Sequence, residues 1–369
     1  MSTLLIACGG TGGHLAPGIA IAEELQDRGH SVVLLISRKQ VDSALIRKYN
    51  HLHFHRAPGR AFSGGLAGRV FALLDVIHGF LFSFRLIRQH QPASVLLFGG
   101  FLSLGLGFAA RLHGIPVALH EANCRPGRAV RLLKSLATRI YLPEGVSLSL
   151  AQDRVRYLGY PVRREIKACS KEVARKELGI ETSGKLLLVI GGSQGAEALN
   201  RWAREQFEKL AEAGVAVYCL AGFGKVKDSE MLYRSSEGAP VRASFVAFSD
   251  QMGAVLSAAD VVVSRAGAGA IAEIIRCSVP AVLIPYPYAA DQHQMANAEA
   301  HEQEGAGLLV SEDQMDSLLE CVLQLLFDNS RLEAYKTALE RLNNNNAARL
   351  IVDDIVFFSS DQPKEAAAS

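Results

Sequence analysis

Leu4-Leu5-Ile6-Ala7-Cys8-Gly9-Gly10-Thr11-Gly12-Gly13-His14 joins an apolar run of strand length to a loop with four glycines in six residues. A helix from about Pro17 is expected next, closed by Gly29 as its C-cap, and Ser31–Ile36 reads as the following strand. A buried strand, a glycine loop, a helix and a second strand form one parallel α/β unit. The loop spacing is not the GxGxxG dinucleotide fingerprint, and the second strand ends at Ser37-Arg38-Lys39 with no carboxylate to take a ribose. Four glycines exceed what a tight turn needs. They let backbone N–H groups approach a phosphate or oxyanion at a helix N-terminus.

Working outward, similar units recur at Val95–His113 and Ile115–His120. The uncharged stretch Ala93–Ala110 is long enough to cross a bilayer, but Gly99 and Gly100 interrupt it, so a strand, a glycine turn and a helix is the better reading. The apolar pattern breaks around Gly159–Arg164, and a charged helix is expected over Lys171–Leu178. A second series opens at Leu186–Ile190 with the loop Gly191-Gly192-Ser193-Gln194-Gly195. Its further strands are expected at Val215–Leu220, Val241–Phe248, Val261–Ser264 and Ala281–Pro285. The predicted architecture is α/β, two doubly wound domains facing across a cleft. Residues 1–160 form the first and 161–345 the second; residues 346–369 form a C-terminal helix packing back on the first, with a frayed tail. Ligands of such sheets bind beyond the carboxyl ends of the strands.

Composition narrows the function. Hydrophobic residues make up 49% and charged residues 21%, which excludes a disordered chain. The 39 basic and 37 acidic residues nearly cancel, so no global field favours nucleic acid, and anion binding has to be local. Six dispersed cysteines without CxxC spacing read as reduced, mostly buried thiols of a cytosolic protein. Met1–Cys8 lacks a basic leader, so no export signal is expected.

Several residues carry candidate chemistry. His14 stands where the first helix begins; an ordinary imidazole pKa near 6.5 suits a general base, and a packing or capping role is the alternative. Glu121 and Asn123 follow a strand's carboxyl end, as ligand contacts or as partners in a buried-edge salt bridge. Ser193 adds a hydroxyl to the second glycine loop. In Ser264-Arg265-Ala266-Gly267-Ala268-Gly269-Ala270-Ile271-Ala272-Glu273, a helix is expected from about Ala270, with Glu273 in its first turn. That carboxylate either complements the helix dipole or accepts two ribose hydroxyls. Asp291, His293, Gln294 and Asn297 follow the next strand on the same edge. No Asp-x-Asp occurs, so diphosphate charge falls to helix N-termini and to cations such as Arg163.

Five ordered motifs, Gly9–His14, His120-Glu121-Ala122-Asn123, Gly159-Tyr160-Pro161-Val162-Arg163, Gly191–Ala196 and Ala266–Glu273, resemble the MurG family over about residues 3 to 340. The resemblance implies a GT-B fold and an inverting, metal-independent N-acetylglucosaminyltransferase of peptidoglycan synthesis, with no cofactor. Its donor would be UDP-N-acetylglucosamine. Its acceptor would be the C4 hydroxyl of lipid I, giving lipid II at the cytoplasmic face of the membrane, alongside other cell-wall synthesis proteins. Carried over residue by residue, donor contacts fall on Thr11, Gly12, Gly13, Asn123, Arg163, Ser193, Ser249, Ala268, Gly269, Ala270, Ile271, Ala272, Glu273 and Gln294, and the base falls on His14. Ser249 replaces a usual Ile, which matters little to a backbone contact. The second glycine-rich loop, Gly99–Gly105, lacks the family's proline.

A lipid-linked acceptor requires a membrane-facing surface. Val70–Arg88 contains Phe80, Leu81, Phe82 and Phe84, flanked by Arg69, Arg85 and Arg88, an apolar patch ringed by cations; an ordinary core helix is the alternative. Three other functions share this fold: a UDP-N-acetylglucosamine 2-epimerase, a transferase using a different acceptor such as diacylglycerol, and a sugar-nucleotide-binding protein without catalysis.

Overall fold

β1 (Thr3–Ala7) pairs in parallel with β2 (Ser31–Ile36) on one side and with β4 (Ser94–Leu97) on the other. This places a reversal of strand order at β1. The computed structural model describes residues 1–8, 12–37, 46–58, 66–149, 152–180, 184–192, 195–222, 229–343 and 347–360. β3 (His53–Arg56), β5 (Val117–His120), β6 (Arg139–Leu142) and β7 (Val155–Tyr157) complete a parallel sheet in the order β3-β2-β1-β4-β5-β6-β7. Alternate β1 residues feed opposite faces, Leu5 and Ala7 into one core and Leu4 and Ile6 into another, so both faces of the sheet are covered.

The second sheet repeats the pattern. β8 (Lys185–Ile190) lies between β9 (Val215–Leu220) and β12 (Val261–Ser264), with β13 (Ala281–Leu283) and β14 (Gly307–Leu309) beyond β12. On the other flank, β11 (Pro240–Val246) pairs in parallel with β9, and β10 (Ser229–Arg234) is added antiparallel to β11. The chain divides into two compact units, Met1–Arg163 with Asn346–Ser369, and Arg164–Asn345. Within the first unit, Asp354 of the helix Ala347–Ser360 accepts a hydrogen bond from Tyr141 Oη at 2.9 Å and pairs with Arg139 Nε at 2.9 Å.

The structure departs from the sequence reading in several places. The first helix runs Gly12–Asp27, so it starts well before Pro17 and includes it. Pro17 has no N–H to give the Gly13 carbonyl one turn back, and Tyr160 Oη donates to that carbonyl instead, at 3.1 Å. The helix Gly100–Leu112 absorbs most of the expected Gly99–Gly105 loop. Its Gly105 lies where a Cβ would fall 2.7 Å from the Gly79 backbone, so the helices Leu66–His90 and Gly100–Leu112 meet at two glycines. Of the six cysteines only Cys8, Cys219 and Cys277 are buried, and Cys169 is exposed. Among the described residues, no helix is long and apolar enough to cross a membrane.

The aromatic patch also turns out differently. Phe80, Phe82 and Phe84 are half-buried and pack against the core, because the outward stripe of that helix falls at Ile77, Leu81, Arg85 and Arg88. With Phe108 and Leu112 of the next helix, this stripe forms an exposed apolar surface, Leu112 being 71% exposed. A surface pocket of about 360 Å³ lies there, lined by Val76, Ile77, Phe80, Phe108, Arg111 and Leu112.

Candidate active site

In the first unit, His14 follows β1 and comes near Gly99 at the end of β4, at the point where the strand order reverses. His14 is the third residue of its helix and half-buried. Gly99, at the carboxyl end of β4, has φ +85°, and a Cβ built there would stand 4.0 Å from His14 Nε2 and 3.7 Å from Val130. A side chain at Gly99 would be strained by this positive φ. Behind it, the buried His120 ring lies 5.1 Å from Phe98 and 6.2 Å from Tyr160 between centroids. Its Nε2 is 3.1 Å from the Gly159 carbonyl. A carbonyl only accepts, so Nε2 carries the proton. Burial pushes His120 down to about 4, with nearby His14 acting in the same direction against the weaker opposing effects of Gly159 and Glu121.

This shift has a direct consequence for stability. With a folded value near 4 and an ordinary value near 6.5, His120 contributes fully above pH 6.5, and its contribution is lost as the pH falls toward 4. Complete protonation corresponds to about 3 kcal/mol. His120→Gln keeps a donor toward Gly159 and removes the titration. Melting temperatures measured from pH 7.5 to 4.5 are expected to fall less steeply in that variant; equal slopes would remove His120 as a cause.

Glu121 is buried and held by hydrogen bonds. Its Oε1 accepts from the Asn123 amide and from Asn123 Nδ2, both at 2.9 Å, and its Oε2 accepts from the Gly127 amide at 2.7 Å. It shapes the loop that presents Asn123. Arg163 is buried at the end of the first unit, following the segment held by the His120–Gly159 and Tyr160–Gly13 bonds. Gly12 and Gly13 open the first helix; Thr11 and Ser193 lie outside the described residues.

In the second unit, the switch point lies between β8 and β12. A Cβ on Gly191 would fall 2.1 Å from the Ala196 amide, so only glycine permits this loop. The helix Ala268–Arg276 starts two residues earlier than expected, with Gly267 as its N-cap, and Ala268–Ala270 are half-buried at its mouth. Glu273 is consequently the sixth helical residue, past the first turn where the dipole effect is concentrated, and half-buried. Asn297 Nδ2 donates to the Ala266 carbonyl at 3.1 Å, fixing the turn from β12 into this helix. Arg265 spans the edge, with Nη1 3.2 Å from the Ile284 carbonyl, an ion pair to Glu312, and its guanidinium 5.4 Å from the centre of the Tyr286 ring. Gln294 Oε1 accepts from the Tyr286 amide at 2.9 Å, and Ser249 Oγ from the Gln251 amide at 3.2 Å, beyond the carboxyl end of β11.

The positioning roles of Tyr160, Arg265 and Asn297 were not legible in the sequence; each depends on a partner carbonyl distant in the chain. Taken unit by unit, the arrangement offers a histidine over a glycine turn in one, and a helix N-terminus with a nearby carboxylate in the other. Among the described residues no cluster of three or more His, Cys, Asp or Glu is placed to hold a metal ion.

The profile of the glycosyltransferase family 28 N-terminal domain matches residues 4–142, and that of the family 28 C-terminal domain matches residues 186–354. A protein of Opitutus terrae is 49% identical over 344 residues, covering 93% of this chain and 91% of its own. Its name is UDP-N-acetylglucosamine--N-acetylmuramyl-(pentapeptide) pyrophosphoryl-undecaprenol N-acetylglucosamine transferase. A protein of the same name from Geobacter sulfurreducens is 34% identical, covering 92% and 94%. Among solved structures, MurG of Acinetobacter baumannii aligns with a TM-score of 0.72 at 23% identity, covering 97% of this chain and all of that one. A putative UDP-N-acetylglucosamine 2-epimerase of Listeria monocytogenes aligns at 0.71 with 13% identity, covering 100% and 99%. These two structural likenesses establish the shared GT-B fold.

Proposed function

The chain belongs to glycosyltransferase family 28, and from that membership we propose that it transfers N-acetylglucosamine from UDP-N-acetylglucosamine to the C4 hydroxyl of lipid I, giving lipid II for peptidoglycan. The observation that carries this reading is the 49% identity to a transferase of that name, sustained across 93% of the chain. The epimerase likeness rests on fold alone, at 13% identity, and does not compete with it.

The residues support an inverting displacement. The acceptor oxygen attacks the anomeric carbon, the bond from that carbon to the diphosphate oxygen breaks, and UDP departs with the electron pair. His14 takes the hydroxyl proton as general base, worth typically ~10²–10⁴-fold. The helix N-terminus at Ala268–Ala270 and the Arg163 cation meet the charge on the diphosphate. Glu273 accepts the ribose hydroxyls, Ala268–Ala272 and Ser249 line the nucleotide, and Gln294 meets the sugar. Asn123, Thr11, Gly12, Gly13 and Ser193 complete the substrate contacts.

Because no Asp-x-Asp clamp exists in the chain, turnover is expected to survive saturating EDTA. Label transfer from radiolabelled donor to a lipid I analogue in chelator is the test. Complete loss of transfer, restored by Mg²⁺ or Mn²⁺, would overturn helix-terminus and Arg163 stabilisation of the leaving group.

The acceptor's lipid calls for peripheral docking on the cytoplasmic membrane face. The exposed surface of Ile77, Leu81, Phe108 and Leu112 is proposed for it, with Arg85, Arg88 and Arg111 meeting anionic headgroups and Phe80, Phe82 and Phe84 supporting it from beneath. Ile77→Glu with Leu112→Glu is expected to weaken flotation with anionic vesicles by about tenfold or more. Unchanged flotation would move the docking surface elsewhere.

A further inference from the structure

β10 is the outermost strand of the second sheet, and its hydrogen-bonding parity can be read from the turn that follows it. The Ser235 amide donates to the Ala239 carbonyl at 2.8 Å, so these two residues form a bonded pair. Alternation along an antiparallel ladder then makes Tyr233–Val241, Met231–Ala243 and Ser229–Phe245 bonded pairs as well. Arg234–Pro240, Leu232–Arg242 and Glu230–Ser244 are the non-bonded pairs, and Pro240, which has no N–H, sits among them as it must. The N–H and C=O groups of Glu230, Leu232 and Arg234 therefore point away from the sheet.

Exposed edges are usually blunted by proline, charged side chains (lysine above all), a bulge or very short length. In β10 six residues run in unbroken register with β11, without Pro, Gly, Lys or a bulge, and its two charges, Glu230 and Arg234, are of opposite sign, so they repel a foreign edge less than they attract each other's copy. All residues after Ser229 are exposed, Leu232 at 69% and Tyr233 at 38%. The outward set reads acidic, apolar, basic, which is complementary to its own reversal.

We infer that β10 pairs antiparallel with β10 of a second copy of this chain, about a two-fold axis through Leu232. In that register Leu232 faces its own copy, and Glu230 faces Arg234 of the second copy, twice by symmetry. Each outward N–H on each copy gains a carbonyl acceptor, and Met231 comes opposite Tyr233. A shift by two residues sets Leu232 against a charge and leaves one charged residue's backbone unpaired. The existing contacts, Glu230 with Arg242 at 3.5 Å and Arg234 Nη1 with the Gly238 carbonyl at 2.8 Å, leave a second carboxylate oxygen and further guanidinium donors for the new partner. So short a ribbon does not reach the roughly 1,200 Å² of a stable interface. The dimer is therefore weak and concentration-dependent.

Sedimentation velocity on the full chain across the micromolar range tests this. Wild type is expected to pass reversibly from monomer to dimer. Leu232→Lys, which sets two cations face to face, and Glu230→Arg, which opposes Arg234, are each expected to raise the dimer dissociation constant about tenfold or more. The double exchange Glu230→Arg with Arg234→Glu is expected to return it to within about threefold of wild type, a rescue that only this register provides. Thermal melts establish that each variant is folded, and the charge exchange carries the test if Leu232→Lys is not. A monomer at every concentration would overturn the inference, leaving the edge to a strand of another protein. So would a dimer indifferent to these substitutions, or a double exchange no better than its single parents.

Discussion

His14→Ala is expected to lower kcat by ~10²–10⁴-fold while leaving UDP affinity almost unchanged. The imidazole lies in the first unit, near Gly99, and the helix Ala268–Arg276, proposed to bind the donor, lies in the second. A base removes the acceptor's proton in the transition state, so its loss appears in kcat and not in nucleotide binding. The limb of the pH–rate profile that reports base ionisation should disappear with it. Alanine is accommodated in a helical turn, so the backbone is not expected to suffer. If His14 is instead a packing residue, the variant should melt earlier and turn over nearly normally. A stable variant within about threefold of wild-type kcat would remove His14 from the mechanism.

Glu273→Ala should weaken UDP binding by roughly ten- to a hundredfold, since a carboxylate accepting ribose hydroxyls contributes ~1.5–3 kcal/mol. The helix start at Ala268 sharpens this expectation. Six residues in, Glu273 is beyond the turn in which a carboxylate gains from the dipole, so a purely electrostatic role in helix stability is weakened. Glu273→Gln separates charge from shape: it keeps one acceptor and should fall between wild type and alanine. Calorimetric titration with UDP checks both variants. Wild-type affinity in Glu273→Ala would withdraw the ribose contact.

Where apolar runs are long and bounded by turn residues, the sequence yields its strands closely. Ser31–Ile36, Val215–Leu220 and Val261–Ser264 are read to their ends. β3 escapes because His53-Phe54-His55-Arg56 shows no apolar alternation, and β14 because three residues carry no period. β6 and β7 are short, and β10 mixes polar and apolar residues on both faces, since an added edge strand buries almost nothing. The glycine loops were legible because close backbone approach leaves few other residue choices, as at Gly191. The helix start at Gly12 was not, because Pro17 is a strong punctuator locally and only the distant Tyr160 hydroxyl offsets its missing donor. Of the patch expected on the helix Leu66–His90, Leu81, Arg85 and Arg88 are exposed while Phe80, Phe82 and Phe84 turn half inward, and the helical period also brings out Ile77, which apolar size alone does not single out.

The most direct measurement is product analysis of a single reaction containing this protein, UDP-N-acetylglucosamine and a lipid I analogue. One UDP released for each β1,4-linked disaccharide, with the anomeric coupling read by NMR, is the expected result. UDP-N-acetylmannosamine without glycosylated acceptor, an α-linked disaccharide, or UDP release without acceptor modification would contradict inverting transfer to lipid I.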